Sequence, residues 1–460
     1  MRRGLASSAG VVVGAGVLAV LAHLPFLLAR PFFFADDFGC LADADNLVRG
    51  SSHFFELPAW GVWRLGQRAL WWMEYRAFGL DPLPYHVVNV VFHALCVAAL
   101  ARLLVRFGVP AWRAFAGGAL FAVLSAASNT VRYPSVSAVL VAGLAVLWSV
   151  LLWDRERPIA ASVCFLAGAC FYEQALCAPV AMLALDVVRR RPVRLSRFAL
   201  PFAAAGAFVA INLLSLSGTT KVYAYNTGGG PALLQAGAAP LRAVSDGWNW
   251  PLLHPAAAAG GVLLLAAVGA AWRPLRGTAL GLLLAWTATL PMLGRSVTWS
   301  DWYYYMPSAG AAAAVVLLLP GTRAWVVPWL ALFAWNLVGL QGPAADYVRQ
   351  SHRYRDVTLA AAPSRDARAA VLVNVHSGLA WTAWQFGGFV RAFELWDAPD
   401  GVARCYAGAD LDALRARMIS EVPAARRRSR FPEDLPPAMR IARAPERHEL
   451  FLWPQPKQDQ

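Results

Sequence analysis

Between Gly10 and Ala29 the chain carries no charged residue. A helix needs roughly 20 apolar residues to cross the ~30 Å hydrocarbon layer of a bilayer. There, every backbone N–H and C=O must be satisfied inside the segment, so a run of this kind has one stable solution, a transmembrane α-helix. Comparable runs recur as far as Leu340, separated by short clusters of arginine. With 58% hydrophobic residues, 15% charged residues, 20 tryptophans and a mean hydropathy of +0.47, the chain reads as an α-helical polytopic membrane protein and not as a water-soluble fold. The net charge of +14 fits that reading. The arginines stand between apolar runs, as the excess of positive charge in cytoplasmic loops requires, and form no patch for nucleic acid.

The basic clusters also give a direction to each run. Arg2 and Arg3 place the N-terminus in the cytoplasm, and the first span leaves the membrane at Asp36-Asp37. No small-residue cleavage site follows that span, so it is read as an anchor and not as a signal peptide. A loop over residues 35–84 is too long for a simple connection. Within it Trp60, Trp63, Trp71, Trp72 and Phe78 interleave with Arg64, Gln67, Arg68, Glu74 and Arg76, the composition of helices that lie in the membrane interface. Further spans are expected over residues 85–107, 114–128 and 136–153. Two short spans then meet at Phe171-Tyr172-Glu173-Gln174, and a seventh runs over 198–216. The eighth covers 256–271, the ninth emerges at Arg295, the tenth runs from the Tyr-rich stretch to Arg323, and the last covers 325–340. This count of about eleven spans puts each arginine cluster on one side of the membrane.

Beyond Gln341 the apolar runs stop. The expected division is a transmembrane domain over 1–341 and a small extracytoplasmic α/β domain over 342–460. In that domain a polar helix is expected at 346–356 and strands at 369–375, 389–396, 438–442 and 449–453. Among the six cysteines, Cys96, Cys164, Cys170 and Cys177 lie in apolar segments and show no metal-ligand spacing. Cys40 and Cys405 are the two placed for an oxidising compartment, and the sequence leaves open whether they bond.

Two features carry chemistry. Ionised carboxylates at a membrane mouth are stable only where they face water, a cation or a polar ligand, which makes Asp36 and Asp37 candidate functional acids. A solvated loop that opens on two acids is the plain alternative. Their oxygens could also hold a divalent cation, although no cofactor is required. On the second span, His86, Asn89 and His93 stand at i, i+3 and i+7, one helical stripe. In an apolar helix such a stripe must face other helices or a wet cavity. For His93, near mid-membrane, interhelical hydrogen bonding is the expected use.

Taken in order, Ala35-Asp36-Asp37, then Pro84-x-His86-x-x-Asn89-x-x-x-His93, Tyr133-Pro134, Glu173-Gln174 with Pro179, and Tyr303-x-Tyr305-Met306-Pro307-Ser308-x-Gly310 resemble the GT-C superfamily of membrane glycosyltransferases. More narrowly, they are similar to bacterial relatives of the protein O-mannosyltransferases that carry tetratricopeptide repeats. The resemblance covers roughly residues 10–340, and the repeats themselves are missing. It implies transfer of a sugar from a polyprenyl-phosphate donor, at the outer face of the bacterial cytoplasmic membrane, to a periplasmic glycan or protein acceptor. It implies that Asp36 or Asp37 is the general base, with His86, Asn89, Glu173, Gln174 and Asp301 lining the site. Arg132, Lys221, Arg295, Tyr303 and Tyr305 are the candidates for holding the donor and its phosphate. Relatives carry Ser-Lys-Glu at Phe171-Tyr172-Glu173, Arg at Trp302 and His at Tyr133, so cationic positions of the family are absent here. A protein that binds or moves a lipid-linked saccharide without transferring it is the alternative from a different class.

Overall fold

A computed structural model of the chain describes residues 2–34, 36–55, 64–189, 191–192, 194–216, 281–282, 285, 301–318 and 325–361, with the strands 367–373, 403–406, 440–444 and 448–454. Lys221, Arg295, the expected spans at 256–271 and before Arg295, and the strand expected at 389–396 lie outside the described residues. The chain is a helical membrane protein. Three of its described helical stretches are long and apolar enough to cross a bilayer, Ala9–Leu28, Pro82–Arg106 and Pro134–Asp154. Shorter apolar helices cover Ala111–Val123, Pro158–Phe171, Leu195–Ile211 and Tyr305–Leu318.

The residues fall into two compact units. The first comprises Met1–Ala29, Phe54–Leu70 and Leu83–Ala345; the second comprises Arg30–His53, Trp71–Pro82 and Asp346–Gln460. In chain order the helices are α1 (Arg2–Leu28), α2 (Asp37–Arg49), α3 (Leu65–Phe78), α4 (Pro82–Arg106), α5 (Ala111–Val123), α6 (Ser125–Arg132), α7 (Ser137–Asp154), α8 (Pro158–Phe171), α9 (Ala178–Val188), α10 (Leu195–Leu216), α11 (Tyr305–Leu318) and α12 (Val326–Ala361). Short 3-10 turns stand at Pro134–Val136, Glu173–Cys177 and Asp301–Tyr304.

Two boundaries differ from the sequence reading. The single span expected at 114–128 is split, because Leu124 adopts an extended conformation with ψ 127° between α5 and α6. Buried Ser128 donates its hydroxyl to the Leu124 carbonyl at 2.9 Å, a partner for backbone at the break. The last span and the polar helix after it are instead one helix, α12, which runs through Pro343. Proline removes one N–H from the helical ladder and crowds the carbonyl four residues back. Arg132 donates to the carbonyl of Leu340, within one turn of that proline, at 2.8 Å.

The first unit packs its helices closely enough that small residues matter at the crossings. A Cβ on Gly310 would stand 2.5 Å from the backbone nitrogen of Ala285, and one on Gly281 would stand 2.6 Å from the backbone nitrogen of Ala314. Such approaches are how helices associate where no hydrophobic force drives them together.

The bundle has a basic end. Asp154, at the end of α7, is 2% exposed and pairs with Arg106 at 2.8 Å and Arg191 at 3.0 Å, with Arg189 at 3.6 Å. Asp186 of α9 is fully buried between Arg191 and Arg197 at 3.6 and 3.4 Å. Nearby helix ends are held in the same manner, since Arg113 donates to the Val316 carbonyl at 3.0 Å. The ends of α4, α7, α9 and α11 and the starts of α5 and α10 are thereby tied to arginines. These are the ends that the charge pattern assigns to the cytoplasm.

In the second unit, β1 (Ala367–Val373), β2 (Ala403–Tyr406), β3 (Arg440–Ala444) and β4 (His448–Pro454) form one sheet in the order β2-β1-β4-β3. β1 pairs parallel with β2, Leu372 opposite Cys405, and antiparallel with β4, Leu372 opposite Leu450. β3 and β4 form an antiparallel pair. Cys40 is buried, and the side chain of Cys405 lies outside the described residues.

Replacing Gly310 with leucine forces a side chain into backbone, and overpacking of this kind costs about 1–3 kcal/mol. We expect Gly310→Leu to lower the thermal unfolding midpoint of the detergent-purified protein, while Gly342→Ala, with open space at its Cβ position, leaves it close to the parent. Differential scanning fluorimetry checks both.

Candidate functional site

The end of the first unit opposite the arginines is where its helices break, and each break leaves carbonyls that need donors. Asn89 of α4, fully buried, donates its amide to Val131 O at 3.2 Å and Tyr133 O at 3.0 Å. Gln67 of α3 donates to Ser135 O at 2.8 Å. Gln174, in the turn between α8 and α9, donates to Tyr303 O at 2.8 Å. Asn89, Gln174 and Tyr303, assigned to the site by sequence, are thus brought to one end of the bundle. The polar atoms used in these contacts hold backbone. Asp301 opens the 3-10 turn that precedes Tyr305.

His86 is buried, with its ring edge-on to Phe26 at 5.3 Å between centroids. Two turns further along the stripe, His93 Nε2 lies 3.3 Å from the Ala122 carbonyl and Nδ1 lies 2.9 Å from the Tyr305 hydroxyl. A carbonyl only accepts, so Nε2 carries the proton and Nδ1 accepts from Tyr305. The interhelical use expected of His93 is the one observed. Tyr305, a sequence candidate for donor binding, has no exposed surface, and its hydroxyl joins α11 to α4.

Glu173 is held by Arg64, which the sequence reading placed only in an interfacial helix. The guanidinium donates through Nη2 to Oε1 at 2.9 Å and through Nε to Oε2 at 3.2 Å. It also lies over the Tyr172 ring, 4.2 Å from its centroid. A two-point pair of this type is among the stronger charge-assisted contacts. Glu173 thus receives a cation from the residue that precedes α3. Arg132 is 2% exposed and donates to Asn129 Oδ1 at 2.6 Å as well as to Leu340 O.

The acid pair belongs to the second unit, where the polar half of α12 holds the segment that carries it. The Phe32 N–H donates to Ser351 Oγ at 3.1 Å, His352 Nε2 donates to Arg30 O at 2.9 Å, and the Phe34 and Tyr347 rings meet at 5.4 Å. The two acids then diverge. Asp37 is buried as the first residue of α2, and its Oδ2 accepts the Phe34 N–H at 2.8 Å, closing the turn. Asp36 is partly buried and makes no capping bond with its side chain. Burial pushes its carboxyl up to about 6, where a base changes state near neutral pH.

Sequence reasoning passed over Glu74. It is 5% exposed, and Oε1 has no hydrogen-bond partner among the described residues. Burial first, and the charge of Asp37 second, raise it to about 8. The available signal was its place in an amphipathic helix, which tells nothing about which face is covered. Among the described residues no three His, Cys, Asp or Glu side chains are grouped to hold a metal ion. A divalent cation at Asp36 and Asp37 would rest on two carboxylates, one of them already accepting a backbone N–H.

A glutamate raised in the folded state keeps its proton there while the unfolded chain has released it. The folded protein then binds more protons between about pH 5 and about pH 8, and stability declines as pH rises through that window. We expect Glu74→Gln to flatten this decline and to match or exceed the parent's unfolding midpoint at the alkaline end, as followed by thermal unfolding against pH.

No protein-family model matches this chain, and no curated protein matches it.

Proposed function

We propose that this protein is an integral membrane glycosyltransferase of GT-C architecture. It transfers a sugar from a polyprenyl-phosphate donor to an acceptor hydroxyl at the outer face of a bacterial cytoplasmic membrane. In this reading about eleven spans cross the bilayer and an α/β domain over 342–460 lies outside. The reading rests on the order of the motifs along the chain. The observation that carries it furthest is the unequal treatment of the acid pair: Asp37 is committed to closing a turn, and Asp36 is left with a raised pKa of about 6.

Asp36 acts as the base. It removes the acceptor's proton as the hydroxyl oxygen attacks the anomeric carbon, the bond from that carbon to the phosphate oxygen breaks, and polyprenyl phosphate leaves with the bonding electrons. Configuration inverts in the single displacement. A hydroxyl is a poor nucleophile until a positioned carboxylate takes its proton. The departing phosphate needs positive charge as the bond breaks, for which Arg64, Arg132, Lys221 and Arg295 are the candidates. Asp37 fixes the turn that presents Asp36, and the contacts from Ser351 and His352 fix the segment behind it.

The alternative is a protein that binds or moves a lipid-linked saccharide without transfer. It draws on one observation, that Arg132 already donates to Asn129 and to the Leu340 carbonyl.

The test is transfer of radiolabelled sugar from polyprenyl-phosphate donors to envelope acceptors by purified protein. We expect turnover by the parent to rise with pH through about 6. We expect Asp36→Asn to bind donor and lose turnover by about 10²-fold or more, as for a missing general base. A parent that binds donor and transfers to no acceptor, across the sugars tried, would move the assignment to the binding or transport reading.

A further inference from the structure

The turn that carries the acid pair is closed by its own ends. The Phe34 N–H donates to Asp37 Oδ2 at 2.8 Å, and the Asp37 N–H donates back to the Phe34 carbonyl at 3.1 Å. The stretch that enters the turn begins in strain, because Arg30 has φ 48°, in the left-handed region that residues other than glycine rarely adopt. His352 holds the Arg30 carbonyl in that position. Such a segment relaxes once its closing contact weakens.

Glu74 supplies a means of weakening it. On α3, Trp71 and Glu74 stand at i and i+3 and are both buried, Glu74 at 5% exposure, while Met73 beside it is 52% exposed. The helix turns an acid inward and an apolar side chain outward. Glu74 Oε1 has no hydrogen-bond partner among the described residues. The charged group that acts on Glu74 is Asp37, which has no exposed surface of its own. A carboxyl in such a place keeps its proton, because its charged form has lost water and gained no donor. Farther along α2 the arrangement is the opposite: Asp45 accepts from the Tyr75 hydroxyl of α3 at 3.0 Å and pairs with Arg49 at 2.8 Å. Acid meets donors there, and acid meets acid at the end that carries the turn.

We propose that Glu74 is a proton-operated lock on the acid turn: protonated, it sits beside Asp37 with the turn closed, and on releasing its proton to water it repels the Asp37 carboxylate and opens the Phe34–Asp37 turn. The Asp45–Tyr75 bond keeps the far end of α2 on α3 meanwhile. The lock acts on the turn whatever reaction Asp36 serves, so it does not depend on sugar transfer.

The closed form holds the Glu74 proton up to about pH 8, and the open form releases it in the ordinary glutamate range, about 4. Opening therefore becomes easier as pH rises, by up to about tenfold per pH unit, and levels off above about 8. Asp36 changes state lower, at about 6, so the interval from about 6 to about 8 belongs to Glu74. His352 is the ionisable group that bonds the entering stretch, and its Nε2–H donates to Arg30 whether or not Nδ1 carries a proton.

Hydrogen–deuterium exchange of the full chain in detergent, corrected for the intrinsic rise of exchange with pH, tests this. The amides of Phe34, Asp37 and Cys40 report the turn, and those of α7 report the bundle. We expect protection at the turn to fall by up to about tenfold per pH unit between about pH 6 and about pH 8, with α7 unchanged. Glu74→Gln copies the protonated acid and should keep the turn protected across that range. Asp37→Asn retains an oxygen for the Phe34 N–H and removes the repulsion, so the fall should end at lower pH. Protection at the turn that stays constant in the parent, or is lost together with that of α7, would overturn the proposal. So would the same fall in Glu74→Gln, or a fall in Asp37→Asn that ends where the parent's does.

Discussion

A helix that breaks inside an apolar bundle exposes carbonyls with no water to turn to, and each unsatisfied one costs about 1–3 kcal/mol. The architecture of the first unit follows from that constraint. α6 ends at Arg132, a 3-10 turn follows at Pro134–Val136, another precedes α11, and a proline interrupts the ladder of α12. A side-chain donor arrives from elsewhere in the chain at the broken ends, Asn89 at Val131 and Tyr133, Gln67 at Ser135 and Gln174 at Tyr303, and Arg132 reaches Leu340, the carbonyl next to the one that Pro343 leaves without its helical partner. The breaks and their donors form one device. It allows irregular backbone at one end of a bundle whose other end is closed by ion pairs.

The two ends are stabilised by different physics. Asp154 and Asp186 are buried carboxylates, and a buried charge is tolerated only when it is paired. Their four arginines come from three helix termini, so the ion pairs bind together the ends that the charge pattern groups on one side. At the other end the partners are mostly neutral amides on carbonyls, and the one strong charge pair is Arg64 with Glu173. The Arg64 guanidinium lies over the Tyr172 ring while bonding Glu173, so a residue far away in sequence supplies the positive charge beside that acid.

Within the second unit, the same principle separates two adjacent acids of identical chemistry. Asp37 receives a backbone N–H and is buried, so its carboxylate is occupied by structure. Asp36 receives none at the cap and sits where partial burial raises its affinity for a proton. Glu74 is buried close enough to Asp37 that repulsion adds to its own desolvation. A set of carboxyl groups with displaced affinities is the raw material of acid–base chemistry, and here burial more than charge sets the displacement.

The membrane class, the helical character and the places where arginine clusters fall were legible in the sequence. They depend on local quantities, the apolarity of a run and its length against the thickness of a bilayer. The stripe of His86, Asn89 and His93 was legible for the same reason, since helical period is a local property. The split at Leu124 and the continuity of α12 through Pro343 were not legible in the sequence, because a helix break depends on what packs around it and not on the apolarity of the run. The same holds for the occupation of Tyr305 by His93, the arrival of Arg64 at Glu173, the different states of Asp36 and Asp37, and the burial of Glu74. Hydrogen bonding and proton affinity are set by what a side chain meets in space, and those neighbours come from segments that the linear order keeps apart.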